Sequence, residues 1–289
     1  PPLLQHLMRC RTNPPSSQKH LKIVLCGKEG VGKTSLAQCL INNKSYLSQA
    51  EREYLLSTDG VAIHDVSIGD QKISLWDFAG QLIYESIHQF MISPALYLLV
   101  FDLRKSVEEN LITHWCRFIL ARNPNCQVIL VGTHLDFVSD LNYYQEQAQR
   151  LHSQFSQISN IHVVSTVTGT NVSELRRSLG DLTSLSTSLS FRDEVLLEYI
   201  KYLVHERLEF PVISFHSLFV MASKLTMFKM HSNPREMLCA SLQKLQQIGK
   251  LLFLVVEKPL SKGPLFLASS LIILDPRWLS DLLVTVIST

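Results

Sequence analysis

The stretch Ile23 to Leu40, IVLCGKEGVGKTSLAQCL, constrains the fold more than any other part of the chain. An apolar run from Leu21 to Leu25 leads into Gly27. After four intervening residues come Gly32, Lys33 and Thr34, and then Leu36, Ala37 and Leu40 at helical spacing. Glycines at 27, 30 and 32 admit positive φ and let the backbone approach an anion with no Cβ in the way. The N–H groups of such a loop converge on a phosphate, and the positive end of the following helix reinforces them. The pattern predicts a strand, then a phosphate cradle over Gly27, Lys28, Glu29, Gly30, Val31, Gly32, Lys33, Thr34 and Ser35, then a helix. Lys33 would reach phosphate oxygens and the Thr34 hydroxyl would bind Mg²⁺. An ordinary glycine turn is the alternative, and the flanking strand and apolar helix weigh against it. Glu29 is the anomaly, a carboxylate inside a loop built for anions.

The rest of the first half alternates strand-like and helix-like segments. Val61 to Ile68 and Lys72 to Trp76 read as a hairpin turning at Gly69-Asp70. Ala95 to Phe101 and Val128 to Val131 are continuous apolar runs, the pattern of buried parallel strands. Between them, Ser106-x-x-Glu109 predicts a capping box, followed by a helix with Leu111, Ile112, Trp115, Phe118 and Ile119 on one face. Ile161 to Val164 reads as a last strand and Asn171 to Leu182 as a last helix. Such alternation predicts an α/β fold, a doubly wound domain with its ligand at the carboxyl ends of the strands.

Three short motifs fall at those ends. LWDFAGQ supplies Asp77, Gly80 and Gln81 where a Mg²⁺-side acid, a γ-phosphate N–H and a water-positioning amide are wanted. LVGTHLD offers Asp136, whose carboxylate can accept from N1–H and the exocyclic amine of guanine; adenine lacks that donor pair. VVSTVTG places the Ser165–Val167 backbone near the base carbonyl. Each alone has a dull reading, Asp77 as a strand-end cap and Asp136 as a solvated acid. Their order along the chain carries the weight.

Residues 21 to 182 resemble a Ras-type small GTPase domain. WDFAGQ and GTHLD are closer to the Ras-of-complex-proteins (Roc) branch of the Roco family. The resemblance implies a Ras-like P-loop fold that binds GTP/GDP with Mg²⁺ and hydrolyses GTP. It implies metal-side roles for Thr34, Asp77 and Thr58, the last as the switch I threonine of LSTDGVAI. Lys33 and Gln81 would act in catalysis, Gln81 by orienting water, and Gly80 would donate to the γ-phosphate. Asp136 would select guanine, with Ser165, Thr166 and Val167 closing over the base. The chain also departs from Ras. Thr133 and His134 replace asparagine and lysine, Thr166-Val167 replaces a small residue and lysine, and Glu29 replaces glycine. These changes imply weaker base affinity and an obstructed path for an arginine finger.

The second part of the chain carries fewer motifs. Leu182 to Ser190, LTSLSTSLS, reads as a serine-rich connector. Ser190 then caps a helix with Phe191, Val195, Tyr199 and Leu203 on one face, and Asn233-Pro234 opens another that Gly249 ends. Short strands are expected at Leu251 to Val256, Leu265 to Ala268 and Leu271 to Leu274, and a helix from Asp275-Pro276 with Trp278, Leu279, Leu282 and Leu283. Helices followed by a small β-wing predict a smaller, mostly helical, winged-helix-like unit. DNA binding is disfavoured because the candidate recognition helix, Pro234 to Ile248, carries only Arg235 and Lys244 as bases. LIILDPRWLSDLL resembles the start of a COR domain, the segment that follows Roc in Roco proteins. The resulting division is 1–18 as a linker or upstream tail, 19–184 as Roc, and 185–289 as the N-terminal part of COR. COR segments imply a possible homodimer.

Composition narrows the partners. The 289 residues carry a net charge of +2, too small to call for nucleic acid or an anionic membrane. Six cysteines without CxxC pairs favour a reducing, cytoplasmic setting, and no apolar run is long enough to span a membrane. The chain begins at Pro1 and stops inside a helical pattern, as expected of a piece of a longer protein, with unidentified protein effectors. Two functions stay open at this point. One is a GTP-hydrolysing switch; the alternative is a GTP-regulated interaction scaffold with negligible hydrolysis. An ATPase of another P-loop class is disfavoured by Asp136.

Overall fold

A computed structural model of the chain describes residues 18–54, 58–81, 94–206, 208–225, 228, 232–255 and 270–287. The chain divides into two compact units: Leu21–Ser186 with Ser280–Thr289, and Pro1–His20 with Thr187–Leu279. Residues 1–17 of the expected upstream tail (1–18) and the expected strand Leu265 to Ala268 lie outside the described residues.

The larger unit is built on a mixed, mostly parallel sheet. Its strands are β1 (Lys19–Cys26), β2 (Val61–Ile68), β3 (Gln71–Phe78), β4 (Leu96–Asp102), β5 (Gln127–Thr133) and β6 (Ile158–Val163), in the order β2-β3-β1-β4-β5-β6. β1, β4, β5 and β6 run parallel, while β2 and β3 form the antiparallel hairpin, with Ile68 opposite Gln71 and Gly69 at φ 57°. Every residue of β4 is buried, which is why its sequence runs apolar without alternation. Helices α1 (Lys33–Ile41), α2 (Gln49–Glu53), α3 (Ile112–Leu120), α4 (Asn142–Gln154) and α5 (Val172–Asp181) connect the strands. Leu36 and Leu40 of α1 and Leu175 and Leu179 of α5 share one core with Ile23, Leu25, Leu98, Val100 and Val131.

Local chemistry explains where the elements depart from the sequence reading. The Ser106 capping box forms, with Ser106 N–H donating to Glu109 Oε2 (2.8 Å) and Glu109 N–H to Ser106 Oγ (3.2 Å). It closes only a turn. Helix α3 begins at Ile112, because Leu111 takes φ 56° and Asn110 is bound to the end of β4. Asn110 Oδ1 accepts from Asp102 N–H (2.8 Å), and its Nδ2 donates to Asp102 O (2.9 Å). The serine-rich connector is not featureless. It holds a 3₁₀ turn, Thr183–Leu185, and a short strand β7 (Thr187–Ser188) antiparallel to the start of β1.

The smaller unit contains α6 (Phe191–Glu206), β8 (Val212–Ser214), α7 (Phe215–Ala222), α8 (Pro234–Gln247), β9 (Leu252–Val255) and β10 (Ser270–Ile273). Its antiparallel sheet has the order β8-β10-β9. Leu196, Ile200 and Leu203 of α6 pack with Leu238, Leu242 and Leu245 of α8 and with Phe215 and Leu218 of α7. Asp193, 2% exposed, accepts from Ser241 Oγ (2.6 Å), Lys244 Nζ (3.0 Å) and Ser190 N–H (2.8 Å), tying α6 to α8. Asn233 accepts from Glu236 N–H at the start of α8, as its sequence predicts.

The last described helix, α9 (Pro276–Ile287), opens with Asp275 Oδ1 accepting from Arg277 N–H (3.0 Å). Within the larger unit, Ser280 Oγ accepts from Val61 N–H (2.9 Å) and lies 3.2 Å from Val61 O. Gly60, at φ 65°, is required there: a Cβ would come within 2.4 Å of Val284 Cγ2 and 2.9 Å of Ser280 Oγ. Among the described residues, no helix is long and apolar enough to cross a membrane.

Candidate nucleotide site

The loop between β1 and α1 is shaped by two approaches that only glycine allows. Gly27, at φ 131°, would place a Cβ 2.1 Å from Val100 O. Gly80, just past β3, would place one 2.3 Å from Glu29 N and 2.4 Å from Lys33 Nζ. Gly32 caps α1 in the left-handed region at φ 90°, with no side chain on the helix's first N–H groups. Those groups need an external acceptor. Lys33 is 6% exposed and folds back onto the loop, donating to Gly27 O (3.0 Å) and Lys28 O (2.9 Å). Burial lowers its pKa, against the pull of Asp77 and Glu29. Lys28 turns elsewhere, its Nζ donating to Glu109 O (2.9 Å).

Beside Lys33, three oxygen-bearing side chains converge from three parts of the chain. Thr34 Oγ1 lies 2.9 Å from Thr58 Oγ1, and the two hydroxyls donate to Asp77 Oδ2 at 2.8 and 3.0 Å. The other carboxylate oxygen, Asp77 Oδ1, is buried with no hydrogen-bond partner. Burial raises the Asp77 pKa, while Thr34 and Lys33 oppose the rise. A buried carboxylate oxygen lacking a donor is costly, and a hard cation would satisfy it. This donor set, two hydroxyls and one carboxylate, fits Mg²⁺, which takes oxygen ligands and keeps much of its water.

A cleft of about 320 Å³ opens over this corner. Glu29, Gly30, Gly32, Lys33, Thr34, Ser35, Thr58, Gly80, Gln81 and His134 line it, with Phe78 of LWDFAGQ and with Arg52, which belongs to no motif. Across it Gln81 Nε2 donates to Glu29 Oε1 (3.0 Å), so the anomalous carboxylate holds the expected water-positioning amide.

The remaining motif residues form a layer behind and beside the cleft. Thr133 Oγ1 lies 2.6 Å from Val31 O, fastening the end of β5 to the phosphate loop. Asp136 sits in a 3₁₀ turn, Leu135–Phe137, and its Oδ1 accepts from Ser165 Oγ (2.6 Å). Ser165 Oγ in turn accepts from the N–H groups of Val167 (3.2 Å) and Thr168 (3.1 Å). Thr166 O accepts from Leu47 N–H (2.8 Å), and Val167 is exposed.

A glycine cradle at the carboxyl end of β1, on this strand order, defines a Ras-like P-loop GTPase fold. Residues 22–136 match the family described as "Ras of Complex, Roc, domain of DAPkinase", which bears out the resemblance to a Roc domain over that part of the chain. Two curated relatives from Dictyostelium discoideum are the probable serine/threonine-protein kinases pats1 and roco5. They are 26% and 27% identical, each over 93% of this chain. The chain spans only 9% and 11% of their lengths. Among solved structures, one described as Methanosarcina barkeri Roco2 RocCORdC bound to GDP matches with a TM-score of 0.67 at 18% identity. The match covers 96% of this chain and 81% of that one.

Proposed function

We propose that this chain is the Roc–COR module of a Roco-type signalling protein, binding GTP and GDP with Mg²⁺ and hydrolysing GTP slowly. Residues 19–184 act as the Roc domain and 185–289 as the start of COR, which receives the nucleotide state and offers a dimer surface. The observation that carries the reading is the convergence of Thr34, Thr58 and Asp77 beside Lys33, with Asp77 Oδ1 left unpartnered. The Roco2 neighbour bound to GDP supports guanine nucleotide as the ligand.

Thr34, Thr58 and Asp77 would hold the metal. When bound, Mg²⁺ neutralises charge that builds on the β- and γ-phosphate oxygens. Lys33 exchanges its two loop carbonyls for phosphate oxygens, gaining charge-assisted bonds. Gly80, pressed against Glu29 and Lys33, brings its N–H to the γ-phosphate. The Gln81 amide turns from Glu29 to orient a water, whose oxygen bonds to γ-phosphorus as the bond to the β-bridging oxygen breaks. The products are GDP and phosphate. Asp136 accepts from guanine, and the Ser165–Val167 backbone covers the base. Gln81 favours hydrolysis over the scaffold alternative, because a site kept only for binding has no use for that amide.

Calorimetry of the Lys33→Ala chain tests the reading. Each charge-assisted bond is worth about 1.5–3 kcal/mol, so GTP affinity is expected to fall at least tenfold with the fold intact. Unchanged affinity would remove the site.

A further inference from the structure

His134 stands in the cleft wall with a revealing set of neighbours. It adopts φ 61° at the end of β5, and its side chain is 23% exposed. Its Nδ1 lies 3.0 Å from Thr133 Oγ1 and 3.4 Å from Asp102 Oδ1. The Thr133 hydroxyl has one proton and two carbonyls in reach, Val31 O at 2.6 Å and Phe101 O at 3.0 Å. A carbonyl can only accept, so that proton is spent on them, and toward His134 the hydroxyl oxygen is an acceptor.

Asp102 is an acceptor too. Its side chain is fully buried at the end of β4, and it takes the Arg104 guanidinium in two bonds, 2.9 and 2.8 Å. Despite the burial that would raise it, its pKa is lowered, so it is a carboxylate at neutral pH. With acceptors on both sides, Nδ1 must carry the hydrogen. The neutral ring then has its lone pair on Nε2.

We propose that Asp102 is a positioning residue of the nucleotide site. With Thr133 it fixes His134 as the Nδ1–H tautomer, so that Nε2 takes up a proton when a guanine nucleotide binds, and affinity rises as pH falls. The proposal rests on the nucleotide reading of the cleft. It adds a residue that no motif flagged, and a proton to the binding equilibrium. The groups facing His134 are Asp102 and Asp136, which favour the cation, and Arg104 and Lys105, which oppose it. Glu29, Lys33 and Arg52 share the cleft. In the empty cleft, burial lowers the His134 pKa and the ring is neutral at pH 7. A polyanionic ligand raises that pKa. The gain in affinity is therefore complete below the empty-cleft pKa and lost as pH rises through the ligand-bound one. One proton allows at most about a tenfold change per pH unit.

The test joins NMR of ¹⁵N-histidine chain with calorimetry of GDP at pH 6 and pH 8. Without nucleotide, His134 is expected as the Nδ1–H tautomer, and Asp102→Asn, nearly isosteric but uncharged, is expected to lower its titration midpoint. GDP is expected to raise the midpoint in the parent. Between pH 8 and pH 6, GDP should tighten several-fold more in the parent than in His134→Asn, which shares every other titrating group, including the phosphates. An Nε2–H tautomer, an unmoved midpoint in Asp102→Asn, or equal pH slopes in parent and His134→Asn would each overturn the proposal. A parent that binds no GDP would overturn the affinity claim together with the site reading. The nucleotide-free spectra would still judge Asp102.

Discussion

Glu29 and Gln81 decide what the site can do. In the structure they share a hydrogen bond, so in the proposed reaction Glu29 competes with water for the Gln81 amide. An unassisted site of this type turns over at roughly 10⁻⁴ s⁻¹, and an arginine from a partner can add about 10⁵-fold. In the proposed reading, Glu29 replaces the glycine past which that arginine would enter. Gln81→Leu is therefore expected to slow single-turnover hydrolysis severalfold or more while leaving GTP affinity nearly unchanged; equal rates would end the water-positioning role. Glu29→Gly is expected to speed hydrolysis and to tighten GTP modestly, since it frees the amide and removes a negative charge from the cleft. The proposed function rests base choice on Asp136. Asp136→Asn should weaken GTP by at most about 3–6 kcal/mol and improve xanthosine triphosphate, whose base presents an acceptor where guanine presents its amine. A competition assay that finds the preference for GTP over ATP intact would count against that role.

Elements were legible where one local signal sufficed. Gly69-Asp70 between alternating runs yields the hairpin at the expected residues, and the apolar runs of β4 and β5 lie where they were read. Helix α4 leaves little sequence signal, because NYYQEQAQRLHSQ buries only Tyr144 and Leu151, too few to mark a face. Helix α3 starts later than its capping box predicts, because a tertiary contact, Asn110 on Asp102, overrides the local signal. Asp102 itself does leave a signal: a lone acid closing a run of six apolar residues. The Gln81–Glu29 bond left none, since the two residues are 52 apart and only folding brings them together. Thr133 shows how an element end acts as a fastener. Thr133→Val removes the hydroxyl between β5 and Val31 at similar volume, and leaves Val31 O short of a donor. A loss of about 1–3 kcal/mol in stability is expected, read by urea unfolding, with weaker nucleotide binding. A variant as stable as the parent would show that the fastener contributes nothing.

At the scale of the whole chain, acid response is the readable property. Burial alone would raise the Asp193 pKa, but bonds from Ser241, Ser190 and Lys244 outweigh it and hold the value low. A carboxyl depressed in the folded state stabilises fully above its unfolded pKa of about 4, and that share is lost as pH falls through the folded value. Asp193→Asn is thus expected to destabilise the α6–α8 pairing at pH 7, with the gap from the parent closing toward pH 3. Urea unfolding at both pH values measures it. A gap of constant size would mean that the charge is immaterial.

The bond between Ser280 and Val61 joins residues 219 positions apart. A ribosome releases Val61 long before it has made Ser280. Until then, the first backbone N–H of β2 must wait on water, three residues from the hydroxyl of Thr58. A chain stopped before Pro276 never receives that partner. Its sheet would keep one frayed corner beside Thr58, and this corner of the larger unit therefore waits on a residue made late in synthesis.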